Sequence, residues 1–161
     1  MPISVGDKIP EHTFNVPTDD GPAPLTTAEL FGGKKVVLFA VPGAFTPTCH
    51  MNHLPGFIAQ AGAIKAKGVD TIAVVAVNDP FVMGAWAKAS EAGDAVTFLA
   101  DGSAAFTKAV DMALDLASRG LGTRSLRYAM IVDDGKVSWI GVDDVPSNAT
   151  ASSADAILAA L

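Results

Sequence analysis

The stretch that decides the fold spans residues 36–49 and reads VVLFAV, then PGAFTPTC. Its six leading apolar residues predict a strand buried on both faces. Pro42 and Gly43 end this strand, because proline cannot donate to a ladder and glycine permits a sharp turn. Thr46 and Pro47 then predict a helix start, with a hydroxyl at the N-cap and a proline at the first helical position.

Cys49, the only cysteine of the chain, falls in the first turn of that predicted helix. Unpaired backbone N–H groups and the positive end of the helix dipole favour a thiolate there. A single cysteine is otherwise often a small buried core residue, and that alternative stays open at this point. One cysteine cannot make a disulfide within the chain, so any disulfide chemistry must involve a second molecule.

Composition narrows the class of protein. The chain has 161 residues, and we expect a single domain over residues 1–161. Half of the residues are hydrophobic and 17% are charged, which argues against disorder. The net charge of −6 argues against nucleic acid or an anionic membrane as a partner. The apolar runs are too short to span a bilayer and no export signal is recognisable, so we expect a cytoplasmic protein.

Strand and helix signals alternate along the rest of the chain. Residues 1–35 form an entry segment with a turn at 19–21 and a short helix that starts at Thr26 or Thr27. Further strands are predicted at 71–77, 96–99, 128–132 and 136–142, and further helices begin near residues 80, 103 and 153. This order predicts a three-layer α/β sandwich, with parallel strands, helices on both faces and an antiparallel edge.

Two local features qualify that prediction. Pro55 lies inside the helix that carries Cys49, and we expect it to bend or split this helix. Gly120 and Gly122 predict a glycine-rich loop before the strand at 128–132.

The octapeptide from Pro42 to Cys49 resembles the active-site sequence of peroxiredoxins, specifically the type II or peroxiredoxin-5 group. Three later segments are similar to that group in the expected order: HLPGF at 53–57, VNDPFV at 77–82 and RYAM at 127–130. The resemblance implies a thioredoxin-like fold with a central mixed sheet. A thioredoxin would carry Cys-x-x-Cys at this place, but this chain has Thr46-Pro47-Thr48-Cys49, which excludes disulfide exchange within one site.

The resemblance also implies the roles of four residues in a thiol peroxidase that reduces hydrogen peroxide and alkyl hydroperoxides. Cys49 would attack the peroxide and become a sulfenic acid. Thr46 would give its hydroxyl to the peroxide and the thiolate, and Pro42 would shield the sulfur. Arg127 would reach in from the start of a strand, where a planar, always-charged donor suits a developing oxyanion.

The implied partners follow from the fact that the chain has no second cysteine that could reduce the sulfenic acid. An external thiol would have to reduce the sulfenic acid, with glutathione plus glutaredoxin, or thioredoxin, as the candidates. The resemblance implies no metal, haem or flavin. It implies a homodimer, with the loops 42–45 and 79–81 at the interface.

Other functions stay open from the sequence. One is a non-enzymatic redox sensor or binding module on the same fold, which would form mixed disulfides through Cys49. Another is a glutathione-dependent thiol transferase, which Pro42 and Thr46 disfavour because they fit a peroxide pocket. His50 and His53 allow a Cys–His nucleophile–base pair, or a zinc site that an Asp or Glu would have to complete.

We expect plainer roles for the side chains that flank these candidates. His53 would pack against or hydrogen-bond a loop, and His50 would lie on a solvent-facing surface. Arg119 and Arg124 would be ordinary surface arginines.

Overall fold

The computed structural model describes residues 1–145 and 147–161. Its strands are β1 Thr13–Val16, β2 Ala23–Thr26, β3 Lys35–Ala40, β4 Thr71–Ala76, β5 Thr97–Ala100, β6 Ala113–Leu116, β7 Gly122–Ser125, β8 Arg127–Asp133 and β9 Lys136–Asp143. Its α-helices are α1 Thr27–Phe31, α2 Leu54–Ala59, α3 Ala61–Lys65, α4 Pro80–Ala89, α5 Ala105–Ala109 and α6 Ala154–Ala160. A π-helix covers Cys49–His53 and a 3₁₀ turn covers Ala117–Arg119.

The main sheet is mixed and has the strand order β2-β1-β5-β4-β3-β8-β9. Strands β3, β4 and β5 pair in parallel at its centre. Strands β8 and β9 extend one side in antiparallel pairing, and β1 and β2 extend the other. The predicted parallel centre and antiparallel edge are therefore confirmed, and β3 lies where the carboxyl ends of the parallel strands can present a site.

Two apolar cores lie on the two faces of this sheet. Val37 and Phe39 of β3 pack with buried residues of α2, α3, α4 and α6. Val36, Leu38 and Ala40 of the same strand pack with buried residues of α1 and α5. Alternate side chains of one strand thus enter opposite cores, as the pleat requires. Helices on both faces confirm the predicted three-layer sandwich.

Helix caps agree with the signals in the sequence. Thr26 caps α1 in a reciprocal capping box with Glu29. The Asp79 carboxylate accepts from Val82 N and caps α4, whose first residue is a proline. Ser153 caps α6 through its hydroxyl. These local rules place the helix starts after β2 and β4 and before the C-terminus.

The expected loop around Gly120 and Gly122 is wrong, because β6 and β7 pair there as a two-stranded antiparallel sheet. The connection between them includes a 3₁₀ turn, and both glycines have positive φ, at +73° and +66°. Each of these strands has only four residues, most of them at least partly exposed, so their apolar pattern is weak. The two glycines are the stronger signal in this stretch of sequence, and they predict a loop.

The expected break at Pro55 also differs in detail. Pro55 lies in the first turn of α2, directly after the π-helix, where its missing N–H is tolerated. The helical run is interrupted at Gln60, whose backbone leaves the helical region at φ −104° and ψ 10°.

Candidate active site

Cys49 lies in a widened helical turn at the carboxyl end of β3. Residues 47–48 are helical, and the carbonyl of Thr46 accepts from His50 N at 2.9 Å, so Thr46 occupies the N-cap position. The π-helix begins at Cys49, and its bond from Leu54 N to the Cys49 carbonyl spans five residues. Single π-turns inside helices occur frequently at functional sites. Cys49 itself has 0% exposed surface.

Arg127 contacts the sulfur from the neighbouring strand. Its successor Tyr128 pairs with Ala40, so the first residue of β8 lies beside the end of β3. The Arg127 side chain is buried, with 2% exposed, and its Nη2 donates to the Cys49 Sγ at 2.9 Å. The guanidinium therefore places a charged, planar hydrogen-bond donor directly against the sulfur, where burial strengthens charge-assisted hydrogen bonds.

His53 contacts the second terminal nitrogen of that guanidinium. It lies four residues after Cys49 and is 2% exposed. Its Nε2 is 2.8 Å from the carbonyl oxygen of Ser152, and its Nδ1 is 2.9 Å from Arg127 Nη1. Burial, reinforced by the Arg127 charge, lowers the pKa of His53 to about 4, so the ring is neutral near pH 7. Since a carbonyl can only accept, Nε2 carries the proton and Nδ1 accepts from Arg127.

This geometry decides among the interpretations of His53. Its hydrogen bond to Ser152 agrees with the expected contact to a loop, and both ring nitrogens are occupied by partners other than Cys49. Over residues 1–145 and 147–161, no group of three or more His, Cys, Asp or Glu side chains is placed to hold a metal ion.

Hydrogen bonds hold the octapeptide loop in place. Pro42 is buried at its start, and its shielding role stays a prediction. The Thr46 hydroxyl donates to the Gly43 carbonyl at 2.7 Å, and Ala44 N donates to Asn78 Oδ1 at 2.9 Å. Phe45 is 46% exposed and adopts φ +63°, a conformation uncommon for a residue with a side chain.

Two residues lie closer to the site than the sequence indicated. Arg124 is half-buried and donates to the carbonyls of Leu121 at 2.8 Å and Pro42 at 3.4 Å, so the expectation of an ordinary surface arginine is wrong. His50 is also half-buried, and its Nδ1 accepts from Trp86 Nε1 at 3.2 Å, so it does not simply face solvent. The contacts from Arg124 to Pro42 and from Trp86 to His50 join residues 82 and 36 positions apart, so no local pattern in the sequence indicates them.

Comparisons with known proteins identify the family of the chain. The Redoxin family matches residues 4–158. Peroxiredoxin-2C from Oryza sativa subsp. japonica is 49% identical over 99% of both chains. Peroxiredoxin-2E-2, chloroplastic, from the same plant is 50% identical over 99% of this chain and 72% of its own. The structure of reduced Prx3 with H₂O₂ from Vibrio vulnificus is 51% identical, covers 98% of both chains and superposes with a TM-score of 0.92.

A thioredoxin-like fold that holds one buried cysteine against an arginine is the architecture of a thiol-dependent peroxidase. The chain belongs to the Redoxin family and, within it, to the peroxiredoxins. The predicted family, fold class and enzyme class are thereby confirmed. None of the helices formed by residues 1–145 and 147–161 has both the length and the apolar character needed to cross a bilayer.

Proposed function

We propose that Cys49 is the nucleophile of this peroxidase and that Arg127 is its principal charge-stabilising partner. The observation that carries the proposal is the 2.9 Å contact between Arg127 Nη2 and the Cys49 Sγ, made where both residues are buried. Thr46 and Pro42 complete the proposed site. Thr46 would turn its hydroxyl from the Gly43 carbonyl to the peroxide, and Pro42 would keep bulk water away from the sulfur.

The proposed chemical step is a two-electron oxidation of the sulfur. The Cys49 thiolate attacks one oxygen of the hydroperoxide, the S–O bond forms and the O–O bond breaks. The leaving oxygen takes a proton and departs as water or an alcohol, while Cys49 becomes a sulfenic acid. Donors aimed at the developing oxyanion lower this barrier, and one such donor is worth about 2.7–4 kcal/mol. Arg127, Thr46 and the Cys49 backbone N–H are the donors we assign.

An external thiol is the proposed reductant. Its sulfur attacks the Cys49 sulfenic sulfur, water leaves, and a mixed disulfide forms; a second thiol then releases reduced Cys49. Glutathione with glutaredoxin, or thioredoxin, fits this requirement, since the chain has one cysteine and cannot resolve itself internally. A redox sensor would stop after the first oxidation, so sustained turnover separates the two functions.

A homodimer that covers the octapeptide end is part of the proposal. Phe45, in the octapeptide loop, is 46% exposed, and Phe81 is 74% exposed. Their segments are joined by the hydrogen bond from Ala44 N to Asn78 Oδ1, and exposed aromatic side chains are typical of contact surfaces. A cytoplasmic location stays a prediction from the sequence, to be tested by cell fractionation.

Peroxide consumption tests the proposal, with glutathione plus glutaredoxin and thioredoxin plus its reductase supplied in separate reactions. Intact-mass spectrometry after one equivalent of peroxide follows the intermediates. We expect a Cys49 sulfenic acid without thiol, sulfinic acid with excess oxidant, and a single glutathionyl adduct when glutathione is present. Rapid, complete conversion to a covalent dimer without added thiol would contradict the external-reductant mechanism.

A further inference from the structure

A carboxylate at the end of β9 gathers three successive backbone N–H groups. Asp143 Oδ1 accepts from Thr150 N at 3.1 Å and Ala151 N at 3.0 Å. Its Oδ2 accepts from Ser152 N at 3.1 Å and from the Ser152 hydroxyl at 2.5 Å. Consecutive N–H groups that converge on one anion fix the intervening peptide planes. We call Asp143 and residues 150–152 the carboxylate clamp.

The clamp also helps to hold the Ser152 carbonyl, because the peptide that contains this carbonyl donates its N–H, that of Ser153, to the carbonyl of the clamped Thr150 at 3.3 Å. Ser152 is fully buried, and its carbonyl oxygen accepts a hydrogen bond from His53 Nε2 at 2.8 Å. His53 in turn accepts from Arg127, which donates to the Cys49 sulfur. A continuous path of hydrogen bonds therefore runs from Asp143 to the reacting atom.

We propose that Asp143 is a positioning residue for the peroxidase reaction, which fixes His53 through Ser152 and thereby aims the Arg127 guanidinium at Cys49. This inference rests on the proposed roles of Cys49 and Arg127. A misplacement of about 1 Å at a reacting group can lower a rate by up to roughly a hundredfold. A residue outside the substrate site can therefore control the rate without contacting peroxide.

The electrostatics of the clamp agree with a charged, persistent Asp143. Burial alone would raise the pKa of this carboxyl. The bonds from the Ser152 hydroxyl and from the N–H groups of Ala151, Thr150 and Ser152 outweigh burial and hold the pKa below its usual value. The hydrogen bonds of the clamp therefore favour the ionised carboxylate.

Gly141, two residues before Asp143 in β9, leaves room for the clamp. A Cβ at this position would overlap the Ala151 carbonyl oxygen, which belongs to backbone and cannot swing aside, and would also meet the Trp139 ring. Gly141→Ala would displace residues 150–152 without removing a charge. It therefore tests the same path as a change of Asp143, by a different physical route.

The experiment is a double-mutant cycle on the rate at which hydrogen peroxide oxidises reduced protein, followed by stopped flow. We expect Asp143→Ala to slow oxidation by about tenfold and Arg127→Ala by about a hundredfold. The double variant should be no slower than Arg127→Ala alone, because Asp143 acts through Arg127. Asp144→Asn is the matched control, since it removes an exposed neighbouring charge, and should oxidise like the parent.

The outcomes separate the positioning role from a merely structural one. If Asp143→Ala slows oxidation by the same factor with and without Arg127, or not at all, the positioning role is wrong while the proposed function stands. If Arg127→Ala oxidises as fast as the parent, the proposed role of Arg127 fails, and the clamp with it. Thermal melts check folding, and Asp143→Asn and Gly141→Ala replace Asp143→Ala in the cycle should that variant not fold.

Discussion

Arg127 and Asp143 are register partners across β8 and β9, and hydrogen bonds through Ser152 and His53 join them a second time. The pairing of β8 with β9 thus fixes the backbone of Arg127 beside Asp143. The hydrogen bonds through Ser152 and His53 connect the Arg127 guanidinium to the side chain of the same Asp143. Sites built on strands and supported by an outer shell of hydrogen bonds hold their geometry within about 0.5 Å. That precision is what a donor aimed at a transient oxyanion requires.

Cys49→Ser should abolish peroxide turnover while the fold stays intact. The change is nearly isosteric, and Cys49 is a free thiol, so no cross-link is lost. Steady-state peroxide consumption measures the effect, and a thermal melt like that of the parent is the control. Residual turnover within about tenfold of the parent would exclude Cys49 as the nucleophile.

Arg127→Lys should slow Cys49 oxidation nearly as much as Arg127→Ala, by roughly a hundredfold. Lysine keeps the charge, but a single ammonium lacks the planar fork that reaches Cys49 and His53 together. Stopped-flow oxidation of the reduced variants gives both rates. Arg119→Ala, at an exposed position, is the control and should match the parent. Full activity in the lysine variant would show that charge alone is sufficient.

Thr46→Val should also slow oxidation by roughly a hundredfold, the loss expected for one charge-stabilising donor. Valine keeps the shape of threonine and removes only the hydroxyl that donates to Gly43 in the structure. Thr48→Val is the matched control, since its hydroxyl bonds to the Ser147 carbonyl. Equal oxidation rates for the two valine variants would remove Thr46 from the mechanism.

The stability of the protein should fall as the pH drops from about 6.5 to about 4 because of His53. The folded protein holds this ring neutral, whereas the unfolded chain binds its proton in that window, so acid favours unfolding. Arg127 and Asp143 are the charged groups that act on the ring, Arg127 through direct contact. The full effect is on the order of 3 kcal/mol.

Denaturant unfolding measured at several pH values checks this expectation, with His53→Gln as the comparison. The variant should lose most of the pH dependence between 6.5 and 4. Asp143, whose pKa is lowered, contributes a further loss only as the pH falls below about 4, so the two effects are separable. An unchanged slope in His53→Gln would mean that another group causes the acid sensitivity.

Phe81→Asp should dissociate the proposed homodimer, because it replaces an exposed aromatic side chain of the proposed interface with a charge. Sedimentation velocity at several concentrations measures the assembly state. Val5→Asp is the control: Val5 is an exposed apolar residue whose neighbour Gly6 bonds to Val137 of β9, away from the octapeptide loop. A variant Phe81→Asp that stays dimeric would place the interface elsewhere.

Local signals were sufficient for the part of the site that lies on one continuous segment. The apolar run of β3, the Pro42–Gly43 stop and the position of Cys49 after it are all readable from short-range rules. Hydroxyl and carboxylate caps likewise marked the helix starts. These features depend on backbone chemistry within a few residues, so a single sequence contains them.

Long-range contacts were not readable in the same way. Arg127 lies 78 residues from Cys49, and the resemblance to a family indicated it, whereas no spacing rule did. The Ser152 carbonyl that fixes the His53 tautomer is a backbone atom 99 residues away, which no side-chain pattern can signal. The sequence likewise does not indicate the contact of Arg124 with Pro42, because the four-residue strand β7 that carries it is too short to predict.

The complete burial of Cys49 has a consequence for kinetics. Because Cys49 has no exposed surface, we expect the protein to open before peroxide or the reducing thiol reaches the sulfur. Each turnover then includes two opening events that are independent of concentration. The oxidation rate should rise linearly at low peroxide and level off at high peroxide, and the plateau would report the opening rate of the protein rather than the chemistry of the thiolate.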